Sequence, residues 1–176
     1  MYPGIHAKTD PDKVAYLMAA SGETVTYGRL DEESNRGAHL FRSLGFAPQT
    51  HIAIFMENHP RFLEVCWAAQ RSGLIYTAIS SRLTAPEVEY IVRDCGAQAL
   101  ITSKAKGDVA AELVQPLSDL QLLMVGGTQD GYRSWEESVA EQPSTPIPDE
   151  TEGMDMLYSS GTTGRPKGVK TPFKER

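Results

Sequence analysis

His51-Ile-Ala-Ile-Phe-Met56 is followed, after Glu57-Asn-His-Pro60, by Arg61-Phe-Leu-Glu-Val-Cys-Trp-Ala-Ala-Gln-Arg-Ser72, then Gly73, then Leu74-Ile-Tyr-Thr-Ala-Ile79. The first of these runs has strand length and no polar alternation, which predicts a strand covered on both faces, and the last reads as another strand. Pro60 suits the first turn of a helix, because its missing N–H would be unpaired there anyway. Gly73 suits the stop. Between them Phe62, Leu63, Val65, Cys66, Trp67, Ala68 and Ala69 leave little polar surface, so the helix is expected to be largely buried. Two strands joined by a helix of this length imply a parallel pair closed by a right-handed crossover.

The alternation continues in both directions. Thr84-Ala-Pro-Glu87 has the spacing of a capping box, and Val88, Ile91, Val92 and Cys95 form the stripe of an amphipathic helix that ends at Gly96. Strands are expected at Gln98–Thr102 and Leu120–Val125, with a helix over about 108–117 between them. Toward the N-terminus, Val14–Met18 and Thr24–Thr26 read as short strands about the Ser21-Gly22 turn. Thr26 then caps a helix running to about Leu44, whose face is Leu30, Ser34, Gly37, Ala38, Phe41 and Leu44, with Gly45 as its stop. Asp31, Glu32 and Glu33 near its start are read as partners of the helix dipole and not as a catalytic cluster. The fold class is α/β, a mostly parallel sheet with βαβ crossovers, without internal repeats. Gln142-Pro-Ser-Thr-Pro-Ile-Pro-Asp-Glu150 reads as a linker, leading to a strand at Met154–Tyr158.

The 176 residues suffice for one domain with a sizeable core. A hydrophobic content of 40% and a charged content of 23% describe a globular chain. The net charge of −6 speaks against a nucleic-acid binder. No run reaches membrane-spanning length and no signal-peptide pattern stands at the start, so the expected location is the cytoplasm. Cys66 and Cys95 lack metal or redox spacing and are expected to be buried thiols. His6 and His39 are expected at the surface, His51 at a strand start and His59 at a helix start, with no spacing for a metal or triad.

Beyond the last strand stands Tyr158-Ser-Ser-Gly-Thr-Thr-Gly-Arg-Pro-Lys-Gly-Val169. Gly161, Gly164 and Gly168 allow close backbone approach to an anion; Ser159, Ser160, Thr162 and Thr163 add hydroxyls; Lys167 adds a cation. Arg165, Lys170, Lys174 and Arg176 concentrate further positive charge there within an acidic chain. The chemistry is that of a polyphosphate site. The segment is not a Walker A loop, because Pro166 precedes Lys167 and Gly168 follows it, and it has no G-x-S-x-G frame. Val169 and Lys170 can begin a returning strand, which would make the segment a hairpin loop.

This run resembles the phosphate loop of the adenylate-forming superfamily, which includes the acyl-CoA synthetases. Thr26-Tyr-Gly-Arg-Leu-Asp-Glu-Glu-Ser-Asn-Arg36 resembles an early segment of the same enzymes, with Arg29 where they commonly carry Glu. Asn58-His-Pro60 and Gly73–Leu83 are also similar, so the likeness runs from Asp10-Pro-Asp-Lys13 to Lys170. It implies an incomplete N-terminal domain of an acyl-CoA synthetase, the N-terminal part of the large AMP-binding domain over residues 1–176, without the small C-terminal domain. It implies ATP, Mg²⁺ and coenzyme A as partners and a carboxylic, in the first place fatty, acid as substrate. The loop's Ser159, Ser160, Gly161, Thr162, Thr163, Gly164, Lys167 and Gly168 would hold ATP phosphates, and Ser159 or Thr162 would help place Mg²⁺. No catalytic residue of the family has a counterpart in these residues, so the chain alone is expected to be inactive and, with strands left unpaired, to self-associate. A stand-alone anion- or nucleotide-binding module and a non-catalytic assembly domain are the alternatives.

Overall fold

The computed structural model of the chain describes residues 3–159 and 166–170. The elements in order are α1 (Pro3–Thr9), β1 (Val14–Leu17), β2 (Thr24–Thr26), α2 (Tyr27–Ser43), β3 (His51–Phe55), α3 (Phe62–Arg71), β4 (Ile75–Ile79) and α4 (Ala85–Asp94). They continue with β5 (Ala99–Ser103), a 3₁₀ turn (Lys104–Lys106), α5 (Gly107–Leu113), β6 (Gln121–Val125), β7 (Arg133–Ser134), α6 (Trp135–Ala140), β8 (Met154–Ser159) and β9 (Lys167–Lys170). Strands β1 and β2 form a separate antiparallel ribbon. The others form a seven-stranded sheet in the order β7-β6-β5-β3-β4-β8-β9, parallel throughout except for the β8–β9 pair.

The apolar run at β3 takes the central place that its composition predicts. Ile52, Ile54 and Met56 enter one core with Leu40, Phe41, Val65 and Trp135 from α2, α3 and α6. Ala53 and Phe55 enter the opposite core with Val88, Val92 and Leu113 from α4 and α5. The strand is thus sandwiched between two helical layers, and alternate residues serve each. Burial of each large side chain contributes roughly 1.5–3 kcal/mol before the entropy of ordering it.

Local signals behave largely as expected. The Thr26 hydroxyl accepts from the Arg29 N–H at the start of α2. The Glu87 carboxylate accepts from the N–H and hydroxyl of Thr84 at the start of α4. Helix α3 starts two residues later than Pro60 suggests, at Phe62, because residues 60 and 61 form a turn. Helix α5 stops at Leu113 and not at 117, the chain continuing in turns to β6. Helix α1 and the β7–α6 pair were not foreseen.

The acidic start of α2 has a different role from the one expected. Asp31 is the fifth residue of a helix that begins at Tyr27, beyond the first turn where the dipole acts. Its Oδ1 instead lies 2.6 Å from the guanidinium of the buried Arg71 on α3, which also donates to Asn35. Glu33 lies 3.2 Å from Arg61. The polar face of α2 is therefore a docking face for Arg61, just before α3, and Arg71 at its end.

Residues 142–150 cross from α6 to β8 over α2. Arg36 donates to the Gln142 carbonyl at 2.6 Å and Asn35 to the Ser144 carbonyl at 2.9 Å. A ring nitrogen of His39 lies 2.9 Å from the Thr145 carbonyl, and Arg42 pairs with Asp149 at 2.9 Å. Ile147 is buried. This stretch is a linker that is strapped down, and it delivers β8 to the side of β4.

Candidate functional site

The strand order reverses at β3: the chain moves to β4 on one side and then to β5 and β6 on the other. In open α/β sheets ligands gather at the carboxyl ends of strands near such a reversal. At that edge the hydroxyl of Ser103, the last residue of β5, donates to Glu57 Oε2, after β3, at 2.5 Å. Lys106 donates to the Ser81 carbonyl and Lys104 to the Thr128 carbonyl, each at 3.0 Å. His59 accepts at Nδ1 from the Arg61 N–H, and desolvation holds its pKa below the ordinary imidazole value. Glu57 and Ser103 escaped sequence reasoning. Their only signal was a polar residue closing an apolar run.

The same edge carries the glycine- and hydroxyl-rich segment. Strand β8 leads out of the sheet and β9 returns antiparallel to it, in the register Met156↔Lys170, Leu157↔Val169, Tyr158↔Gly168 and Ser159↔Lys167. The hairpin expected from Val169 and Lys170 is thus present. It brings Ser159 directly opposite Lys167 at the two ends of the intervening segment, both exposed. Of the remaining expected phosphate ligands, Ser160, Gly161, Thr162, Thr163 and Gly164 lie outside the described residues, as does Arg165. Gly168 sits inside the ladder. A Cβ there would fall 2.3 Å from Met156 Cε and 3.1 Å from Tyr158 Cζ, so a side chain at this position would have to displace the mobile end of Met156 and crowd the Tyr158 ring.

Helix α4 touches both arms of this hairpin. The Tyr158 hydroxyl donates to Asp94 Oδ2 at 2.5 Å, and the Tyr90 hydroxyl donates to the Pro166 carbonyl at 3.4 Å. Desolvation, and then the bond to Asp94, push the Tyr158 pKa above the ordinary phenol value. Tyr158 is therefore a neutral donor at physiological pH and not a base.

Both thiols are buried, as expected, and burial pushes Cys66 up to about 12. All four histidines are half-buried. Among the described residues, no three His, Cys, Asp or Glu side chains are gathered to hold a metal, and no helix is long and apolar enough to cross a membrane. The exposed Ser159 hydroxyl fits a single oxygen ligand of Mg²⁺, an ion commonly held by one or two protein groups together with phosphate oxygens and water. The exposed Lys167 ammonium fits a phosphate but not a metal.

A second charged site lies away from this edge. The Glu64 side chain is fully buried, with Oε2 2.9 Å from Arg61 and Oε1 3.6 Å from Arg29. Arg61 is shared with Glu33 and with Glu136, the latter at 2.9 Å. Burial outweighs these attractions and pushes the Glu64 carboxyl up to about 7. The cluster joins α2, α3 and α6 and stands apart from the hairpin.

Residues 5–174 match the family model described as AMP-binding enzyme. A fatty acid–[acyl-carrier-protein] ligase, ScoC of Streptomyces coeruleorubidus, is 32% identical over 167 residues, covering 93% of this chain and 31% of that protein. Feruloyl-CoA synthase of Amycolatopsis is 31% identical over 173 residues, covering 96% of this chain and 32% of that protein. The solved structure of the anthranilate CoA ligase AuaEII in complex with anthranoyl-AMP superposes with a TM-score of 0.84 at 25% identity, over 95% of this chain and 33% of that one. The chain spans about a third of the length of these curated relatives. With a family match running almost from end to end, it belongs to the AMP-binding enzymes, the adenylate-forming ligases.

Proposed function

We propose that these residues form the phosphate-clasping part of an ATP-dependent acid–thiol ligase. In that reaction a carboxylate oxygen attacks the α-phosphorus of ATP, the bond to the bridging oxygen breaks, and pyrophosphate leaves. A thiol, that of coenzyme A, then attacks the acyl carbon and displaces AMP. The substrate is a carboxylic acid, in the first place a fatty acid, and the work is cytoplasmic. The observation that carries this reading is the antiparallel hairpin that sets Ser159 against Lys167 at either end of a segment of glycines and hydroxyls.

Lys167 holds the β- and γ-phosphates and neutralises charge on the departing pyrophosphate, with Ser160, Thr162 and Thr163 donating hydroxyl hydrogen bonds. Gly161, Gly164 and Gly168 keep the backbone clear of side chains. Ser159 or Thr162 supplies an oxygen to Mg²⁺, which when bound neutralises the phosphates and orients them. The chemistry is positioning and electrostatics, and no covalent protein intermediate is called for.

We further propose that the 176 residues by themselves do not form acyl-adenylate, a reading supported by their spanning about a third of the relatives. Carboxylate-dependent exchange of pyrophosphate into ATP tests it: exchange above that of Lys167→Ala would overturn it. In a longer protein containing these residues, loss of one charged hydrogen bond in Lys167→Ala should weaken ATP use by about 10- to 150-fold. Arg165→Ala should cost far less. Equal small effects of the two would refute the phosphate role of Lys167.

A further inference from the structure

We propose that helix α4 is a strut for the phosphate hairpin, with Tyr90, Asp94 and Tyr158 as positioning residues for Ser159 and Lys167. The inference rests on the phosphate reading above.

The hairpin is poorly supported by the sheet. Strand β8 pairs with β4 only at Ile75↔Met154 and Tyr76↔Asp155. From Met156 to Ser159, its partner among the described strands is β9 alone. An isolated two-stranded hairpin is marginally stable, so this half of it needs another anchor. Helix α4 supplies one. Met156 and Tyr158 pack on the core that contains Val88, Ile91 and Val92 of α4. Beyond this packing, two hydrogen bonds reach the two arms separately: Asp94 takes the Tyr158 hydroxyl before the intervening segment, and Tyr90 reaches the Pro166 carbonyl after it. Tyr90 and Asp94 are four residues apart and leave the helix on one face. The contacts fall directly beside Ser159 and Lys167, the residues next to Tyr158 and Pro166 in the chain.

Such placement matters for a site that works by position. Displacement of a binding group by about 1 Å can cost on the order of a hundredfold in rate. The helix itself is held at its start by the Thr84–Glu87 box and along its length by its buried stripe. Its frame is therefore fixed independently of the hairpin.

The test uses the 176-residue chain, with hydrogen–deuterium exchange and titration with inorganic tripolyphosphate in the presence of Mg²⁺. Asp94→Ala should speed exchange of the β8 and β9 amides by about tenfold, leaving β3 unchanged, and weaken tripolyphosphate binding by about three- to tenfold. Asp94→Asn keeps an oxygen acceptor for the Tyr158 hydroxyl and should restore both. Tyr158→Phe combined with Asp94→Ala should be no worse than the worse single change. Unaltered hairpin exchange in Asp94→Ala, or an Asn variant as impaired as the Ala variant, would overturn the strut. Tripolyphosphate binding that is absent, or indifferent to Lys167→Ala, would count against the phosphate reading instead, and the exchange data would still decide whether α4 holds the hairpin.

Discussion

Replacing Glu64 with glutamine should make the stability of this chain less dependent on pH. Glu64 is fully buried; Arg61, just before its own helix, and Arg29 and Glu33 on α2 act on it, Tyr16 of β1 feels its charge, and Glu23 and Glu136 pair with Arg29 and Arg61. The connected ion pairs set Arg29, Arg36 and Arg61 against Glu23, Glu33, Glu64 and Glu136, so one acid has no full counter-charge. Burial makes Glu64 the one to keep its proton, up to about pH 7, while the unfolded chain releases it in the ordinary carboxylate range. Between those values the folded state binds more protons than the unfolded state, so stability falls as pH rises through the window. A displacement from an ordinary value of 4.5 to about 7 corresponds to at most ~3 kcal/mol lost across it. Glutamine preserves an oxygen for Arg61 and cannot ionise. Urea unfolding followed by the fluorescence of Trp67 and Trp135, at intervals from pH 5 to pH 8, should show Glu64→Gln gaining steadily on the parent chain. Other groups titrate in both proteins and cancel in the difference. If the parent instead gains on the variant with rising pH, attraction to Arg61 and Arg29 outweighs burial, and the reasoning fails.

Gly153→Ala should destabilise the chain by about 2–3 kcal/mol, because the new Cβ would fall 2.4 Å from the Leu74 carbonyl oxygen and 2.9 Å from that of Ala69, backbone that cannot step aside; chemical denaturation measures it. Cys66 and Cys95 should resist a thiol reagent at pH 8 in the native state, since burial suppresses their thiolates, and should react together on unfolding. Leu157 and Val169 stand opposite each other on an exposed face of the hairpin, and β9 is the last strand of the sheet. Concentration-dependent light scattering should therefore reveal self-association that Val169→Lys reduces, and a compact monomer at every concentration would refute it.

Much of the fold was legible in short stretches. The uninterrupted apolar run at Ile52–Met56 implied a strand inside two layers, and the Thr84–Glu87 pair marked the start of α4. What escaped notice depends on partners distant in sequence. Strand β7 has two residues and exists through its pairing with β6. Helix α6 was announced by Ser134 and Glu137, the Ser134 hydroxyl accepting from the Glu137 N–H, but six residues carry too little periodicity to betray a helix. Burial of Glu64 and Arg71 within an otherwise apolar helix could not be read either, because, Arg61 apart, the charges that face them (Arg29 and Asp31 on α2, and Glu150 before β8) are distant in sequence. At the site, the polarity and spacing of the glycine- and hydroxyl-rich segment were plain in one dimension. Its attachment to Asp94, some sixty residues earlier, was not.

The strap over α2 has a consequence for how this region can diverge. Arg36, Asn35 and His39 meet main-chain carbonyls there, those of Gln142, Ser144 and Thr145. A carbonyl is the one group that every amino acid offers, proline included. Side chains along residues 142–146 are thus nearly exchangeable, and prolines are welcome where only acceptors are needed. Length is another matter. Asn35 and His39 are spaced by one helical turn, and Ile147 must still reach its buried seat. An inserted residue would throw the carbonyls out of step with both. Relatives should therefore differ freely in the letters of this segment and hardly at all in their number, which makes it a poor place for an alignment gap despite its loop-like composition.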